Sequence, residues 1–283
     1  MRIASLLVSF VLASMASLPM AASAQEDPVF KKIQALEWKV APATGNIAGK
    51  ATIALNDGLG FLDAKNTSEF LVLLGNLPQT DTYTVAPKDF SWFSVFSFVD
   101  EGYVKDDEKI DADALLAVLK ENNVRSMEER AKRGLPKLYL DGWFIAPRYD
   151  SESKRLEWAT LLHSDGGEKT VNFSTKILGR RGHMDAILVS EPQSLEADIK
   201  TFKTALKGFD YVSGERYSEW SQGDKVAAYG LGALILGGAA AVATKKGFWA
   251  VIGGVLAAGW KLIAAAAVAV VAGIGALFKR KKP

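Results

Sequence analysis

LYLDGWFIAPRYDSESKRLEWATLLHSDGGEKTVNFSTKILGRRGHMDAILV, residues 138–189, is the segment that decides the fold. Short apolar or alternating runs are separated by turn residues, such as Asp165-Gly166-Gly167 and Gly179-Arg180-Arg181-Gly182. Consecutive strands joined by short turns pair as an antiparallel meander. We therefore predict four neighbouring strands, at residues 138–146 with an interruption at 141–142, 156–162, 169–178 and 184–189.

Three further regions outside the meander predict strands. Residues 50–55 and 60–63 flank Asn56-Asp57-Gly58, which is typical of a tight hairpin turn, so we expect these two strands to pair. Residues 91–99, with the sequence SWFSVFSFV, are apolar and aromatic enough to lie at the centre of a sheet. A last strand is expected at residues 211–217.

Helices are predicted between and after these strands. Thr67 or Ser68 can cap a first helix, and another begins at Pro192 and stops at Gly208. A third is expected at residues 112–132. The predicted fold class is therefore α+β, with a mostly antiparallel sheet and helices packed on one face.

The helix at residues 112–132 follows a strongly acidic stretch, DDEKIDAD at residues 106–113. Its carboxylates suggest a calcium loop, but counted from Asp107 the third position is Lys109, and no glycine occupies the sixth. The alternative is a helix start, in which Asp111 caps the helix and Asp113 lies near its positive end. We favour the cap.

The last quarter of the chain, residues 226–278, contains no Asp or Glu and is predicted to lie in a membrane. A first apolar run, residues 226–244, has 19 residues, about the length that crosses the hydrocarbon layer as a helix. Lys245-Lys246 follows, and residues 247–278 then run for 32 residues with Lys261 as their one charge. We predict an α+β domain at residues 25–225 and C-terminal transmembrane helices within an anchor at residues 226–283.

The number of crossings stays open at this level. Length favours two helices, whereas a single crossing puts the basic end, KRKK at residues 279–282, in the cytoplasm, where positive charge is preferred. Small residues recur every four positions in both runs, a spacing that lets helices pack closely. The predicted partners are the lipid bilayer, an envelope protein, or a second copy of the chain through Gly237, Ala241, Ala269 and Gly273.

Residues 1–24 have the three parts of a secretory signal peptide. Arg2 precedes the apolar residues 3–18, and Ala22-Ser23-Ala24 offers a cleavage site before Gln25. An uncleaved anchor is the alternative. With an exported start, the domain is expected in the periplasm, held at the bacterial cytoplasmic (inner) membrane.

Charge and composition exclude several functions. Residues 25–225 carry 26 lysines and arginines against all 32 acidic residues, a net charge of −6, so nucleic acid is not an expected partner. The absence of cysteine excludes disulfides, thiolate nucleophiles and cysteine-based zinc sites. The sequence also lacks the short motifs for nucleotides, dinucleotide cofactors and the hydrolase nucleophile.

His163 and His183 are the two histidines of the chain. They are 20 residues apart, on or beside strands predicted to be neighbours, and lack the short spacing of zinc ligands on one helix or loop. We interpret both as surface or strand-end residues. We predict neither a metal site nor a catalytic residue.

The best candidate for ligand recognition is a set of arginine and aromatic residues near two turns. Arginine side chains beside aromatic rings can bind carboxylate, phosphate or sugar-like groups. The alternative is a structural role, in which the tryptophans pack in the core and Arg148 pairs with Asp150 or Glu157. The set comprises Trp143, Arg148, Tyr149, Asp150 and Arg180, with Trp158 and Arg181 beside them.

Six stretches of the chain, taken together, resemble a family of predicted membrane-anchored bacterial proteins that is known only as a domain of unknown function. The stretches are GYVKDDE (102–108), DADALL (111–116), LDGWFIAPRYD (140–150), LEWATLL (156–162), VNFSTKILGRRG (171–182) and GDKVAAYGLGALILGG (223–238). The resemblance covers nearly the whole chain after the signal peptide. It implies export and a C-terminal anchor, and it carries no established activity, substrate or catalytic residue.

Three functions are compatible with these features. The first is a non-enzymatic, membrane-tethered periplasmic domain that binds a partner protein or envelope component, in an envelope stress response for example. The second is an envelope hydrolase that uses Asp150, Glu152 or Glu157, and the third is an oligomeric pore formed by the tail. We favour the first, because the exported domain shows no catalytic constellation.

Overall fold

The computed structural model describes residues 28–74, 76, 78–132, 137–167 and 169–237. The predicted signal peptide and most of the predicted membrane anchor lie outside these residues, and so do Ala241, Ala269 and Gly273. Among the residues that are described, no helix is long and apolar enough to cross a membrane.

Two antiparallel sheets form the framework. The main sheet contains β1 Lys39–Val40, β4 Leu59–Leu62, β5 Thr82–Pro87, β6 Phe93–Val99, β7 Leu138–Asp150, β8 Arg155–Ser164, β9 Lys169–Leu178 and β10 His183–Ser190, in the order β1-β4-β5-β6-β10-β9-β8-β7. The second sheet contains β2 Thr44–Ile47, β3 Ala51–Ala54 and β11 Phe209–Tyr211, in the order β11-β3-β2. The mostly antiparallel α+β class is therefore confirmed.

The predicted meander is confirmed, because β7, β8, β9 and β10 are consecutive neighbours in the main sheet. The turn at residues 179–182 pairs Leu178 with His183, and therefore Lys176 with Asp185. β7 is longer than predicted. It shifts register at Leu140/Gly142 and twice more, which lets it continue through Pro147 to Asp150.

The helices are α1 Pro28–Gln34, α2 Ala64–Leu73, α3 Ala112–Lys132, α4 Leu195–Ala205 and α5 Leu231–Ile235. The prediction that Asp111 caps α3 is confirmed, because its Oδ1 accepts the N–H of Ala114 at 3.0 Å. The prediction of Thr67 or Ser68 as the cap of α2 is wrong. That cap is Asp63, which accepts the N–H of Asn66 at 2.9 Å, so the helix begins earlier.

Helices cover both faces of the main sheet, so the prediction of one covered face is wrong. We call the side covered by α4 and the second sheet the α4 face, where Phe202 packs with Phe173 and Ile53. The other side, the α3 face, is covered by α1, α2, α3 and α5. The central strands require both covers: in β10, every residue except Ile187 is buried.

The hairpin predicted around residues 56–58 does not form. Both flanking segments are strands, but β3 pairs with β2 and β11, whereas β4 pairs with β1 and β5. β3 has a closer partner, because the turn at Ala48 and Gly49, both at positive φ, brings β2 back beside it. The predicted strand at residues 211–217 is also shorter and earlier, at Phe209–Tyr211.

Candidate functional site

The structure divides the predicted recognition set between the two faces of the main sheet. Trp143 and Tyr149 pack on the α3 face, where Trp143 Nε1 donates to the Ala112 carbonyl at 3.0 Å. Alternate residues of a strand point to opposite faces, so Arg148 and Asp150 point to the α4 face. Their cross-strand partners there are Glu157 and Arg155. The set does not converge on one cleft.

The acidic residues proposed for hydrolysis lie near Arg148. Glu157 is buried, and its Oε2 lies 2.6 Å from Lys203 Nζ and 3.9 Å from an Arg148 nitrogen. Asp150 accepts the Ser153 hydroxyl at 2.8 Å and the Glu152 N–H at 2.9 Å, and these hydrogen bonds lower the pKa of Asp150. Both carboxylates therefore have structural partners.

Arg180 ties the turn after β9 to the segment after β11. Its guanidinium binds both carboxylate oxygens of Asp224, at 2.7 and 2.9 Å, and lowers the pKa of Asp224 to about 2. The Nη2 of Arg180 that binds Asp224 also donates to the Ser221 hydroxyl at 3.1 Å. The neighbouring Arg181 lies 2.9 Å from buried Glu215. Arg180 and Arg181 thus hold the end of the domain together, and neither shares a partner with Arg148.

The two histidines have different environments. His163 is at the surface, where its Nδ1 lies 2.7 Å from Asp141 and its ring stacks on Tyr139 at 4.9 Å. His183 begins β10, as a strand-end residue would, but it is only 3% exposed. The interpretation of His183 as a surface residue is therefore wrong, because the α3 face is covered at this end of the strand.

A buried charge cluster surrounds His183. It consists of Glu101, Lys176, His183 and Asp185 on the α3 face. His183 lies between two carboxylates, with Nδ1 2.7 Å from Glu101 and Nε2 3.0 Å from Asp185. Lys176 forms an ion pair with Asp185 from the neighbouring strand. Two positive and two negative groups thus neutralise one another when His183 is protonated.

The charges of this cluster depend on one another. Burial disfavours the charged form of Asp185, but Lys176 and His183 outweigh it and hold the pKa of Asp185 below its usual range. Burial also disfavours the imidazolium of His183, but Asp185 and Glu101 outweigh it and raise the pKa of His183. Removal of one partner would leave an uncompensated buried charge, which is strongly destabilising.

The buried charge cluster can hold a proton, but its geometry does not suit a metal. The two carboxylates contact opposite nitrogens of the His183 ring, so one cation cannot reach all three groups. Across the described residues no group of three His, Cys, Asp or Glu side chains could hold a metal ion. An open depression of about 570 Å³ lies elsewhere, between α2 and Gln79–Asp81, and no predicted site residue lines it.

Sequence reasoning missed the buried charge cluster, although a signal for it was present. Once the turn at residues 179–182 is accepted, the pairing of Leu178 with His183 places Lys176 opposite Asp185. Opposite charges at facing positions of otherwise apolar strands indicate a buried ion pair. Glu101 had no such signal, because it comes from the segment after β6 and reaches His183 only in the folded chain.

A second polar group lies where the acidic stretch crosses the α3 face. Asp106 accepts the Tyr149 hydroxyl at 2.7 Å and lies 2.8 Å from Lys154 Nζ. Burial opposes its ionisation, but these hydrogen bonds lower the pKa of Asp106; burial and Asp106 raise the pKa of Tyr149. Tyr149 therefore stays protonated and fastens the acidic stretch to β7.

The segment that leads to the tail is part of the domain. We call residues 225–237 the C-terminal segment. Tyr103 donates its N–H to the Lys225 carbonyl and accepts from the Ala227 N–H, both at 2.8 Å. Leu231 and Leu234 are buried in the cluster that contains Trp158, and Glu108 accepts the Gly232 N–H at 3.2 Å.

The described part of the predicted first membrane run differs from one continuous helix. Residues 226–230 are irregular, and α5 contains only Leu231–Ile235. Gly237 follows with φ +90°, in the left-handed region that ends helices, so it does not lie within a helical stripe. Residues 238–244 of this run lie outside the described residues.

The fold and contacts define an antiparallel α+β domain with a buried charge cluster and no established activity. The chain belongs to a family of proteins of unknown function, DUF2167, whose family model matches residues 39–272. No curated protein matches the chain. It is also similar to the solution structure of cyanobacterial PsbP (CyanoP) from Synechocystis sp. PCC 6803, with 13% identity and a TM-score of 0.35 over 59% of this chain and 89% of that chain. That degree of similarity says nothing about activity or ligand.

Proposed function

We propose that the protein is an exported, membrane-tethered domain that binds or holds a component of the bacterial envelope without catalysing a reaction. The domain faces the periplasm, and the apolar tail crosses the cytoplasmic membrane. One observation carries the proposal: the C-terminal segment is packed into the domain directly before the apolar sequence continues. Nine residues, 238–246, then lie between this packed segment and the long apolar run at residues 247–278.

The packing of the C-terminal segment favours one crossing over two. Leu231, Leu234 and Ile235 are already buried by the domain, so only residues 238–244 of the first run remain before Lys245-Lys246. A crossing helix needs about 20 residues. Residues 247–278 then supply the single crossing, which leaves the KRKK end in the cytoplasm, as the preference for positive charge inside requires.

Contacts of the candidate catalytic groups support binding over catalysis. Asp150 caps a turn, Glu157 is held by Lys203, and His183 is enclosed between Glu101 and Asp185. A general acid or base must reach a substrate proton within hydrogen-bond distance. Asp150 is held by its own turn, and Glu157 and His183 are buried beside charged partners within the domain, so a structural role accounts for all three.

The absence of native cysteine allows a sharp test of export and topology. Glu152→Cys, on an exposed turn, and Lys282→Cys, at the basic end, each create one thiol for a membrane-impermeant maleimide. On intact spheroplasts we expect labelling of Glu152→Cys only, with Lys282→Cys labelled after permeabilisation. Labelling at both positions would favour two crossings, and protection of Glu152→Cys would contradict export. Release of the protein by alkaline carbonate would contradict the anchor.

A second experiment separates binding from hydrolysis. Crosslinking in intact cells, followed by purification from detergent, should recover an envelope component above the level seen with an unrelated anchored domain. Recovery of nothing, with and without envelope stress, would count against binding. Alanine at Asp150, Glu152 and Glu157 should still rescue a deletion phenotype. Failure of a folded variant to rescue would instead favour a hydrolase.

A further inference from the structure

An exposed aromatic surface lies beside the C-terminal segment. Trp220 and Val226 are each 40% exposed, and both adjoin Tyr103. The Tyr103 and Trp220 ring centroids are 5.2 Å apart, and Tyr103 forms a backbone bridge with Val226. We call Tyr103, Trp220 and Val226 the aromatic surface.

The aromatic surface is held in place by its neighbours. Tyr103 stacks on Tyr217 at 4.4 Å, and the Tyr217 hydroxyl donates to the Val104 carbonyl at 2.9 Å. The turn after Trp220 is closed by Asp224, which accepts the Ser221 N–H at 2.8 Å and binds Arg180. Exposure of Trp220 is therefore built into the fold, and a fixed exposed tryptophan indicates an interaction surface.

We propose that the aromatic surface lies against the headgroup layer of the membrane, so that the domain is held in one orientation on the bilayer. This inference rests on the membrane tether of the proposed function. Tryptophan and tyrosine favour the interface between water and lipid, where an apolar ring and a polar edge are both accommodated. Lys225, exposed beside Val226, can reach lipid phosphate.

The position of the tail favours the membrane as the partner that covers the aromatic surface. Tyr103 and Leu236 pack against the same apolar cluster, so the aromatic surface and the last described residues lie on the same side of the main sheet. Beyond Gly237 the chain has 46 more residues, whose charged residues are Lys and Arg alone. A second copy is a weaker candidate, because three side chains cover little of the about 800 Å² that each partner of a stable complex buries.

Spin labels at two single cysteines test this orientation in the full chain. Gln222→Cys is exposed beside Trp220, and the control Ala197→Cys is exposed on α4 at the opposite face. The chain is reconstituted in vesicles of phosphatidylcholine and phosphatidylglycerol. Power saturation then compares collisions with oxygen, which concentrates in lipid, and with an aqueous nickel chelate. We expect the label at residue 222 to be severalfold less accessible to nickel than the label at residue 197, and more accessible to oxygen.

A further variant tests the contribution of the tryptophan itself. Trp220→Ser in the Gln222→Cys background should restore nickel accessibility while the chain stays with the vesicles after carbonate. Unchanged shielding would contradict a role for Trp220. Circular dichroism and the label at residue 197 check that this variant keeps its fold.

The remaining outcomes separate this proposal from the tether. Equal nickel accessibility at residues 222 and 197, in a chain that stays with the vesicles, would overturn the orientation and leave the tether intact. Loss of the chain from the vesicles would overturn the tether as well. Shielding of residue 222 from both reagents would mean that the protein's own tail covers the surface. Spin–spin broadening that disappears on dilution with unlabelled chain would mean that a second copy of the chain covers the surface. Coverage by the tail and coverage by a second copy would each overturn the proposal.

Discussion

The two faces of the main sheet are covered in different ways. On the α4 face, one continuous apolar cluster joins α4, the second sheet and the central strands, with Phe202 against Phe173 and Trp92. On the α3 face, two apolar clusters flank the buried charge cluster around His183. The α4 face is therefore one continuous apolar core, whereas the α3 face joins the domain to its tail and contains the buried charge cluster.

The largest expected effect tests the role of the α4 face. Phe202→Ala should lower the free energy of unfolding by about 4 kcal/mol, because a fully buried ring is removed from between three other rings. Urea unfolding of the full chain in detergent measures it. Phe144→Ala, at a 40% exposed aromatic residue of β7, is the matched control and should cost far less. Equal costs would contradict the assignment of the main core to this face.

The next effect concerns the buried charge cluster. Lys176→Met should cost about 3 kcal/mol, because it leaves Asp185 buried without its lysine. The double variant Lys176→Met, Asp185→Asn should recover much of this loss, because neither charge then remains unpaired. Urea unfolding of the unaltered chain, the two single variants and the double variant gives a double-mutant cycle. Additive losses would show that the two side chains do not interact.

A smaller loss is expected where the C-terminal segment completes the α3 face. Leu234→Ala should cost about 2 kcal/mol, at the low end for a buried leucine, because α5 can shift to fill the space. Thermal unfolding gives the size of the effect. Limited proteolysis should show faster cleavage near residue 230, with the exposed substitution Val124→Ala as a control. No loss of stability would mean that the segment does not contribute to the core.

The α3 face should also make stability depend on pH. Because the folded protein raises the pKa of His183 above its ordinary value of 6.5, the stabilisation is fully present below about pH 6.5. This stabilisation is lost as pH rises through the pKa that His183 has in the folded protein. The thermal midpoint should therefore fall over this range more steeply than in His183→Gln. An unchanged slope in His183→Gln would contradict the assignment of this pH dependence to His183.

The smallest effect is expected at a predicted site residue. Arg148→Ala should change stability by less than about 0.5 kcal/mol, because its side chain is 70% exposed and Lys203 still binds Glu157. A thermal melt measures this change. A loss above about 1 kcal/mol, the upper end for an exposed ion pair, would show that Arg148 matters for the fold in spite of its exposure.

The comparison of the two faces also shows which features local sequence patterns predict. The meander and the cap at Asp111 were predicted, because strand alternation, turn residues and helix caps act over a few residues. The partners of β3 and β4 were not, because residues 50–55 and 60–63 are near in sequence but lie in different sheets. Pairing depends on which distant strand offers a better partner.

The candidate site was less predictable than the fold. Trp143, Arg148 and Tyr149 are close in sequence, but in β7 Arg148 points to one face of the sheet and Tyr149 to the other. Proximity along the chain therefore did not predict proximity of these side chains. His183 meets Glu101 only because two segments separated by most of the meander come together. Burial of a charged residue depends on what covers it, and the covering elements come from distant parts of the chain.

By itself the sequence determined the class of the domain, the order of the meander, the start of α3 and the apolar character of the tail. Each of these depends on residue type at short spacing, which the backbone satisfies locally. Only the tertiary structure decided that both faces are covered, that Glu101, Lys176 and Asp185 gather around the buried His183, and that residues 225–237 belong to the domain. These features arise from packing between segments far apart in the chain, where burial and pairing are gained only once the whole sheet has formed.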